Sequence, residues 1–531
     1  LLSTADALIG HNIIGFDLPV LEKLYDFKFT GQVIDTLVMS RLYNPVRENG
    51  HSLKTWGFRV NMLKKEQPEF ETYSPEMLEY CVGDVVLNEK VYEHLLNEGT
   101  GFSDKSLELE QEVAKIMNEQ EKTGFYFDSR QAMELLADLQ DKKSQTELAV
   151  QTTFKPKWVD DKLVTPYIRK DGQLSKRGLT DEEYDDCLTN NNYEPFMRKK
   201  LVDFNLGSRK QIGEYLIDFG WKPERFTPTG QPIVDEGTLK KIEHIEEAKL
   251  IANFLLYQKR IAQISSWIDE LKDDRVHGRV IPNGTITGRM THRNPNMAQV
   301  PNLGSPFGRE CRACWTVPEG YKLVGIDASG LELRMLAHYM KDDNYINEVL
   351  HGDIHTTNQE LAGLKTRDQA KTFIYALVYG AGDAKIGKIA KGDIKKGKQL
   401  KARFFSNLPA LKKLRDQVQR ASQRGFLLGI DRRKIYVRSP HAALNTLLQG
   451  SGAIVMKQAM IYLHDMIQLN TLDAKFVANI HDEWQLQVKE SQADFVGRMG
   501  CDAIRKAGQT FKMRCELDGE YKIGGNWSET H

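Results

Sequence analysis

YKLVGIDASGLELRMLAHYM, residues 321–340, is a β-branched and apolar run that reaches Asp327, turns at Ser329-Gly330 and continues as an apolar helix. A second run, KFVANIHDEWQLQV at 475–488, reads as two strands around a tight turn at His481 and Asp482. A hairpin of that kind, laid beside the first strand, sets Asp482 at the end where Asp327 stops. Between them, RDQAKTFIYALVYGAG at 367–382 is a helical run ended by Gly380 and Gly382. Taken singly, an Asp at a strand end is more often a solvated turn or a helix cap. Two such ends flanking a basic helix suggest something more.

Mg²⁺ takes oxygen ligands and is usually held by one or two carboxylates plus substrate phosphates. Asp327 and Asp482 therefore suffice for two ions that stabilise both oxygens of a phosphoryl transfer, if the fold brings them together. Glu483 is either a weaker, indirect ligand or a surface group. On the helix, Arg367, Lys371 and Tyr375 recur every four residues and share one face. That face suits triphosphate oxygens, with the ring near a sugar or base, although a solvated basic face over a core aromatic is as ordinary. Residues 383–415 hold eleven Lys or Arg against two Asp, a run that fits either a phosphate backbone or an exposed helix surface.

Beyond these stretches, 531 residues imply about two to four domains. Hydrophobic residues at 40% and charged residues at 27% exclude wholesale disorder. Lys plus Arg balances Asp plus Glu at 73 each, so any electrostatic footprint is local. Six Cys are too few for a disulfide framework and fit a reducing cytosol. Cys311 and Cys314 lack the second close pair that a zinc site needs. No membrane span is expected. LLSTADALIGHN at the start has neither an initiating Met nor a basic opening, so earlier residues are expected to be missing.

The pattern as a whole resembles the family A DNA polymerases, similar to bacterial DNA polymerase I and most like those of short-tailed phages of the T-seven group. Three motifs in order carry the likeness: GIDASGLELRMLAH, RDQAKTFIYALVYGAG and IHDEWQLQV. VHGRVIPNGTITGRMTHRNPNMAQVPN from Val276, GDIHTTNQ from Gly352 and VRSPHAALNTLLQGSGA from Val437 support it. The resemblance implies that Asp327 and Asp482 bind two Mg²⁺ ions. Arg367, Lys371 and His355 would hold the incoming triphosphate, with Lys371 as proton donor to pyrophosphate. Glu332 and Tyr375 would close around the deoxyribose, and a Tyr at 375 implies tolerance of dideoxynucleotides. Tyr379 would stand near the templating base. Arg289, Arg438, Asn445 and Gln449 would read the minor groove, where acceptors common to all base pairs report geometry. His481 would touch the primer terminus.

Residues 1–103 resemble a 3′ to 5′ exonuclease. HNIIGFDLPVL supplies Asn12 and Asp17, and YCVGD supplies Tyr80 and Asp84, with the two Asp as metal ligands and Tyr80 orienting water. The family's upstream DxE pair has no counterpart here, which implies impaired proofreading. The expected fold is α+β and multidomain: a right-hand polymerase preceded by an α/β, ribonuclease H-like exonuclease domain lacking its first strand motif. The thumb and connecting helices are expected at 104–275, the palm at 276–350 and 431–531, and the fingers at 351–430. Residues 153–203 read as a loop-rich insertion in the thumb, where the phage relatives grip a host thioredoxin. This insert is shorter and matches poorly, so thioredoxin, another processivity factor, DNA bound by Lys155, Lys157, Arg169, Lys170, Lys176 and Arg177, or an inert loop all stay open. The partners implied are primer–template DNA and dNTPs, in the cytoplasm of an infected bacterial host. A single-subunit RNA polymerase is the nearest rival, opposed by Glu332 and Tyr375. A nuclease with a DNA clamp and a noncatalytic binding module are the others.

Overall fold

The computed structural model describes residues 2–66, 68, 69 and 71–531. The chain forms two compact units, one of Leu1–Gln131 with Ser266–His531 and one of Ala132–Ser265. At the start of the first, β1 (Ala7–Gly10) pairs in parallel with β2 (Gln32–Asp35), and α1 (Asp17–Tyr25) supplies the crossover that a parallel pair requires. Asp35 ends β2 and caps α2 (Thr36–Tyr43), accepting from the amides of Leu37, Asn12 and Ile14. α3 (Pro75–Glu98) opens on a Ser74 cap with Pro in its first turn. After a turn at the boundary expected near 99–104 comes α4 (Asp104–Thr123).

Residues 104–153 hold two helices. Gly124, at a φ of 65°, stops α4, a short strand follows, and α5 (Ser129–Thr153) resumes. The second unit contains most of α5 and the insertion. That insertion is more ordered than its sequence suggests. β3 (Lys157–Val164) and β4 (Phe196–Val202) form an antiparallel ribbon, with α6 (Asp181–Thr189) between them, held at its start by a Thr180–Glu183 capping box. Val150, Phe154, Ile212, Tyr215, Leu216 and Trp221 belong to this unit's own core, and α7 (Glu246–Asp269) leads back out.

In the rest of the first unit, β5 (Arg279–Ile281) and β6 (Thr291–Arg293) make a short ribbon. Then follow β7 (Tyr321–Ala328), α8 (Leu331–Met340), α9 (Ile354–Ala362) and α10 (Arg367–Val378). β8 (Phe426–Leu428) and β9 (Lys434–Tyr436) form a hairpin before α11 (Ala443–Leu469). β10 (Ala474–Ile480), β11 (Glu483–Lys489), α12 (Ala493–Thr510) and β12 (Gly519–Gly524) complete the unit. The central sheet runs β10-β11-β7-β12, antiparallel throughout. α12 lies close on it because Gly500 has no side chain: a Cβ there would meet Ile326 Cδ1 at 2.4 Å. Val324, Ile326, Leu336, Met460 and Leu486 are among the buried residues of the core that this packing closes.

Candidate active site

The site grows from the end of β7. Asp327 stands opposite Glu483 of β11 on one side and Glu520 of β12 on the other. Like charges in directly opposed positions destabilise a sheet, so a row of three carboxylates is a place where a cation would relieve repulsion. The His481-Asp482 turn joins β10 to β11, with His481 in the left-handed region at a φ of 59°. The Ala328 amide donates to the Asp482 carbonyl at 3.3 Å, which fixes this turn against the strand end. Burial pushes the Asp327 carboxyl up to about 7, with Asp482, Glu483 and Glu520 adding to it and His531 opposing. Asp482 is raised by burial and by Glu332.

Glu483 is differently placed. Its carboxylate accepts from Trp527 Nε1 at 2.9 Å and Gln485 Nε2 at 2.5 Å, and lies 2.6 Å from His531 Nδ1. Burial works against its charge, but His531, Gln485 and Trp527 hold it below the ordinary carboxylate range. Among the described residues no group of three or more His, Cys, Asp or Glu side chains could hold a metal. Two carboxylates with an incomplete oxygen shell fit Mg²⁺, which keeps waters and substrate phosphates as its remaining ligands.

α10 carries Arg367, Lys371 and Tyr375 on one face. Burial raises the Tyr375 hydroxyl, and Glu332, Asp482 and Asp327 raise it further. Arg367 donates to Asp353 at 2.7 Å, and Asp353 also caps α9 through the amides of His355 and Thr356. Those contacts, led by Arg367, hold the Asp353 carboxyl well below its usual range. The His355 ring lies 6.4 Å from that of Tyr375, and its buried Nδ1 has no partner among the described residues. Lys371 is exposed. Tyr375 and Tyr379 are stacked at 6.5 Å, and the Tyr379 hydroxyl donates to Glu332, which also accepts from Arg289 at 3.2 Å. Glu332, Tyr379 and Arg289 are thus joined.

Arg289, Leu331, Lys457, His481 and Asp482 line a cavity of about 30 Å³. Asn445 and Gln449 lie four apart on α11, and Asn445 Oδ1 is buried with no partner among the described residues. Arg438 is exposed on the segment before α11. α11 is anchored by a group that sequence patterns did not reveal. Lys457 donates to both Glu110 oxygens, at 2.7 and 2.8 Å, while Arg433, paired with Asp431 at 2.7 Å, also reaches Glu110.

The residues expected for an exonuclease are partly grouped. Tyr80 and Asp84 lie on α3, and Lys64, unforeseen from the sequence, pairs with Asp84 at 2.7 Å and sits 4.8 Å over the Tyr80 ring. Asp17 opens α1, its carboxyl raised by burial, and no hydrogen bond joins it to Asp84 among the described residues. Asn12, at a φ of 66°, accepts from Arg279 at 3.3 Å. In the insertion, Lys157 pairs with Asp218 and lies 3.8 Å over the Tyr215 ring, and Lys176 pairs with Asp181 at 3.0 Å. Lys155, Arg169, Lys170 and Arg177 are exposed. Among the described residues no helix is long and apolar enough to cross a membrane.

A family model described as DNA polymerase family A matches residues 181–529. The DNA-directed DNA polymerase of Enterobacteria phage T3 is 34% identical over 99% of this chain and 92% of its own length. That of Escherichia phage T7 is 33% identical over the same shares, 99% and 92%. DNA polymerase I of Pseudomonas aeruginosa is 28% identical over 62% of this chain and 39% of its own. Among solved structures, the POL domain of Pol1 from M. smegmatis, in complex with DNA primer-template and dNTP, matches with a TM-score of 0.77 and 18% identity. It covers 98% of this chain and 86% of that one, a likeness of fold.

Proposed function

This chain belongs to DNA polymerase family A and is a DNA-directed DNA polymerase, and from that premise we propose how its residues extend a primer. Asp327 and Asp482 hold two Mg²⁺ ions, which supply charge stabilisation to the attacking 3′ oxygen and the departing pyrophosphate. Arg367 and His355 neutralise the triphosphate, and Lys371 donates a proton to the leaving group. Glu332 and Tyr375 close around the deoxyribose, and Tyr379 stands by the templating base. Tyr379 and Arg289 both bond Glu332 and orient its carboxylate, and closure of α10 completes the site. Arg289, Arg438, Asn445 and Gln449 follow the minor groove and His481 meets the primer end. Glu483 acts indirectly, through the turn that bears Asp482.

The observation that carries this reading is the hydrogen bond that joins the Asp482 turn to the end of β7 and brings the two aspartates to one sheet edge. Primer extension with dNTPs beside rNTPs tests it: the expectation is synthesis with dNTPs, and a preference for rNTPs would reject it in favour of an RNA polymerase.

We assign the 276–350 and 431–531 segments to a palm, 351–430 to fingers and 104–275 to a thumb. Residues 1–103 form an exonuclease-like domain in which a metal at Asp84 would have to displace Lys64, so proofreading is weak. The relatives matched over 99% of this chain are phage enzymes, and the corresponding role is genome replication in the cytoplasm of an infected bacterium. The ribbon β3–β4 exposes Trp158, Leu163, Met197 and Leu201, which suits a processivity factor such as thioredoxin at the insertion. Product length with and without thioredoxin measures that directly.

A further inference from the structure

The β5–β6 ribbon meets different chemistry at its two ends. Its connecting loop, 282–290, carries Arg289 to Glu332 and to the cavity beside Asp482. Its base carries Arg279 and Arg293, which stand directly opposite each other across the two strands. Opposed like charges weaken a ribbon, and strands of three residues each offer little ladder to offset them. Arg41 of α2 shares their field: burial lowers its guanidinium to about 10, Asp35 opposes this, and Arg279 and Arg293 add to it.

The surrounding groups leave this charge largely uncompensated. Among the described residues none of the three arginines is within ion-pair distance of a carboxylate. Asp35 already accepts from the amides of Asn12, Ile14 and Leu37. The other nearby acid is Glu121, whose carboxyl burial pushes up against the pull of Arg279, Arg293 and His277. His11 and His51, pushed down to about 4 by burial, add no charge at neutral pH. Among the described residues, the one side-chain hydrogen bond from the cluster goes from Arg279 to Asn12 Oδ1, in the loop that leads to Asp17.

An unneutralised cationic group, kept despite its cost to the ribbon, is suited to an anion. Its position, between a minor-groove contact at Arg289 and the Asn12 loop, indicates which anion. A strand that reaches that loop has left the minor-groove contacts of the paired end behind it. We propose that Arg41, Arg279 and Arg293 form a seat for the phosphodiester backbone of an unpaired DNA strand running from the polymerase site toward the Asn12 loop. The placement of the paired end rests on the polymerase reading above; the seat itself rests on the arginines.

The test uses the full chain and the variant Arg279→Gln/Arg293→Gln. Binding of a labelled oligothymidylate and of a fully paired primer–template is measured in EDTA between about 50 and 200 mM KCl. For two lost phosphate contacts at about 0.7 each, the slope of log K against log salt falls by about 1.4 for the oligothymidylate, and the fall is confined to it. The melting temperature stays level or rises, because two opposed charges are gone. Arg41→Gln gives a second reading, a fall of about 0.7. An unchanged oligothymidylate slope overturns the proposal whatever the melting temperature. An equal fall on the paired substrate assigns the seat to duplex and overturns it too. Failure of the unaltered chain to extend a primer with dNTPs would instead reject the polymerase reading, while the oligothymidylate slopes would still judge the seat.

Discussion

The amide of Ala328 donates to the carbonyl oxygen of Asp482 at 3.3 Å. This bond fastens the β10–β11 turn to the end of β7, so two aspartates distant in the chain share one sheet edge. Everything chemical about the site depends on that edge being short of positive charge and open to it.

If Asp327 binds Mg²⁺, as proposed, protons compete with the metal there. Burial and neighbouring acids raise Asp327 from 3.8 to about 7. The folded chain therefore keeps a proton that the unfolded chain releases, and stability without metal declines as pH rises from about 4 through 7. Metal affinity moves the opposite way. A Mg²⁺ titration of primer extension at pH 6 and pH 8 should show a midpoint about tenfold lower at the higher pH, the change in the ionised fraction of a group of pKa 7. Equal midpoints would contradict the assignment of Asp327 as a ligand.

Lys371 and Arg367 should separate kinetically. Lys371→Ala removes a proton donor and lowers kcat by about 10²–10⁴-fold. Arg367→Ala, which also frees Asp353, raises the dNTP KM more than it lowers kcat. Single-nucleotide incorporation kinetics distinguish the two, and a Lys371→Ala effect confined to KM would remove the acid role.

Sugar choice should follow Glu332. Its carboxylate holds Tyr379 and Arg289 in this structure, and in the proposed reading it walls the sugar position with Tyr375. Glu332→Ala should reduce discrimination against rNTPs by at least about tenfold, the effect of roughly 1.4 kcal/mol. Competitive incorporation of dNTP and rNTP measures it.

The buried group around Glu110 should govern stability. Burial disfavours its charge, but Lys457 and Arg433 more than offset that and hold the carboxyl below the ordinary range. Its contribution is present above the unfolded value of 4.5 and is lost as pH falls below it. Lys457→Met should cost about 3–5 kcal/mol by removing one of the two cations that pair with a buried carboxylate, and adding Glu110→Leu should restore much of it. Urea midpoints of the three proteins at pH 7 check both.

The parts of the site visible in the sequence are those with a local signature. Asp327 ends an apolar strand, Asp482 sits in a two-residue turn, and Arg367, Lys371 and Tyr375 keep helical spacing. The insertion was read as loop because a bulge between Asp160 and Lys162 breaks the two-residue period of β3, and charged residues on both faces hide what alternation remains. Gly124 ends α4 through its positive φ, which the spacing of apolar residues around it does not announce. Lys64 beside Asp84, His531 beside Glu483 and Glu110 beside Lys457 are tertiary meetings that no spacing announces. Arg279 and Arg293 became a pair only through strand register.

Replacing Asp327 by Ala and measuring both synthesis and primer–template affinity tests the central claim most directly. If Asp327 and Asp482 hold the metals, extension with Mg²⁺ falls by at least about 10³-fold while the primer–template Kd stays nearly unchanged. Extension at the original rate with Asp327 gone would contradict the account.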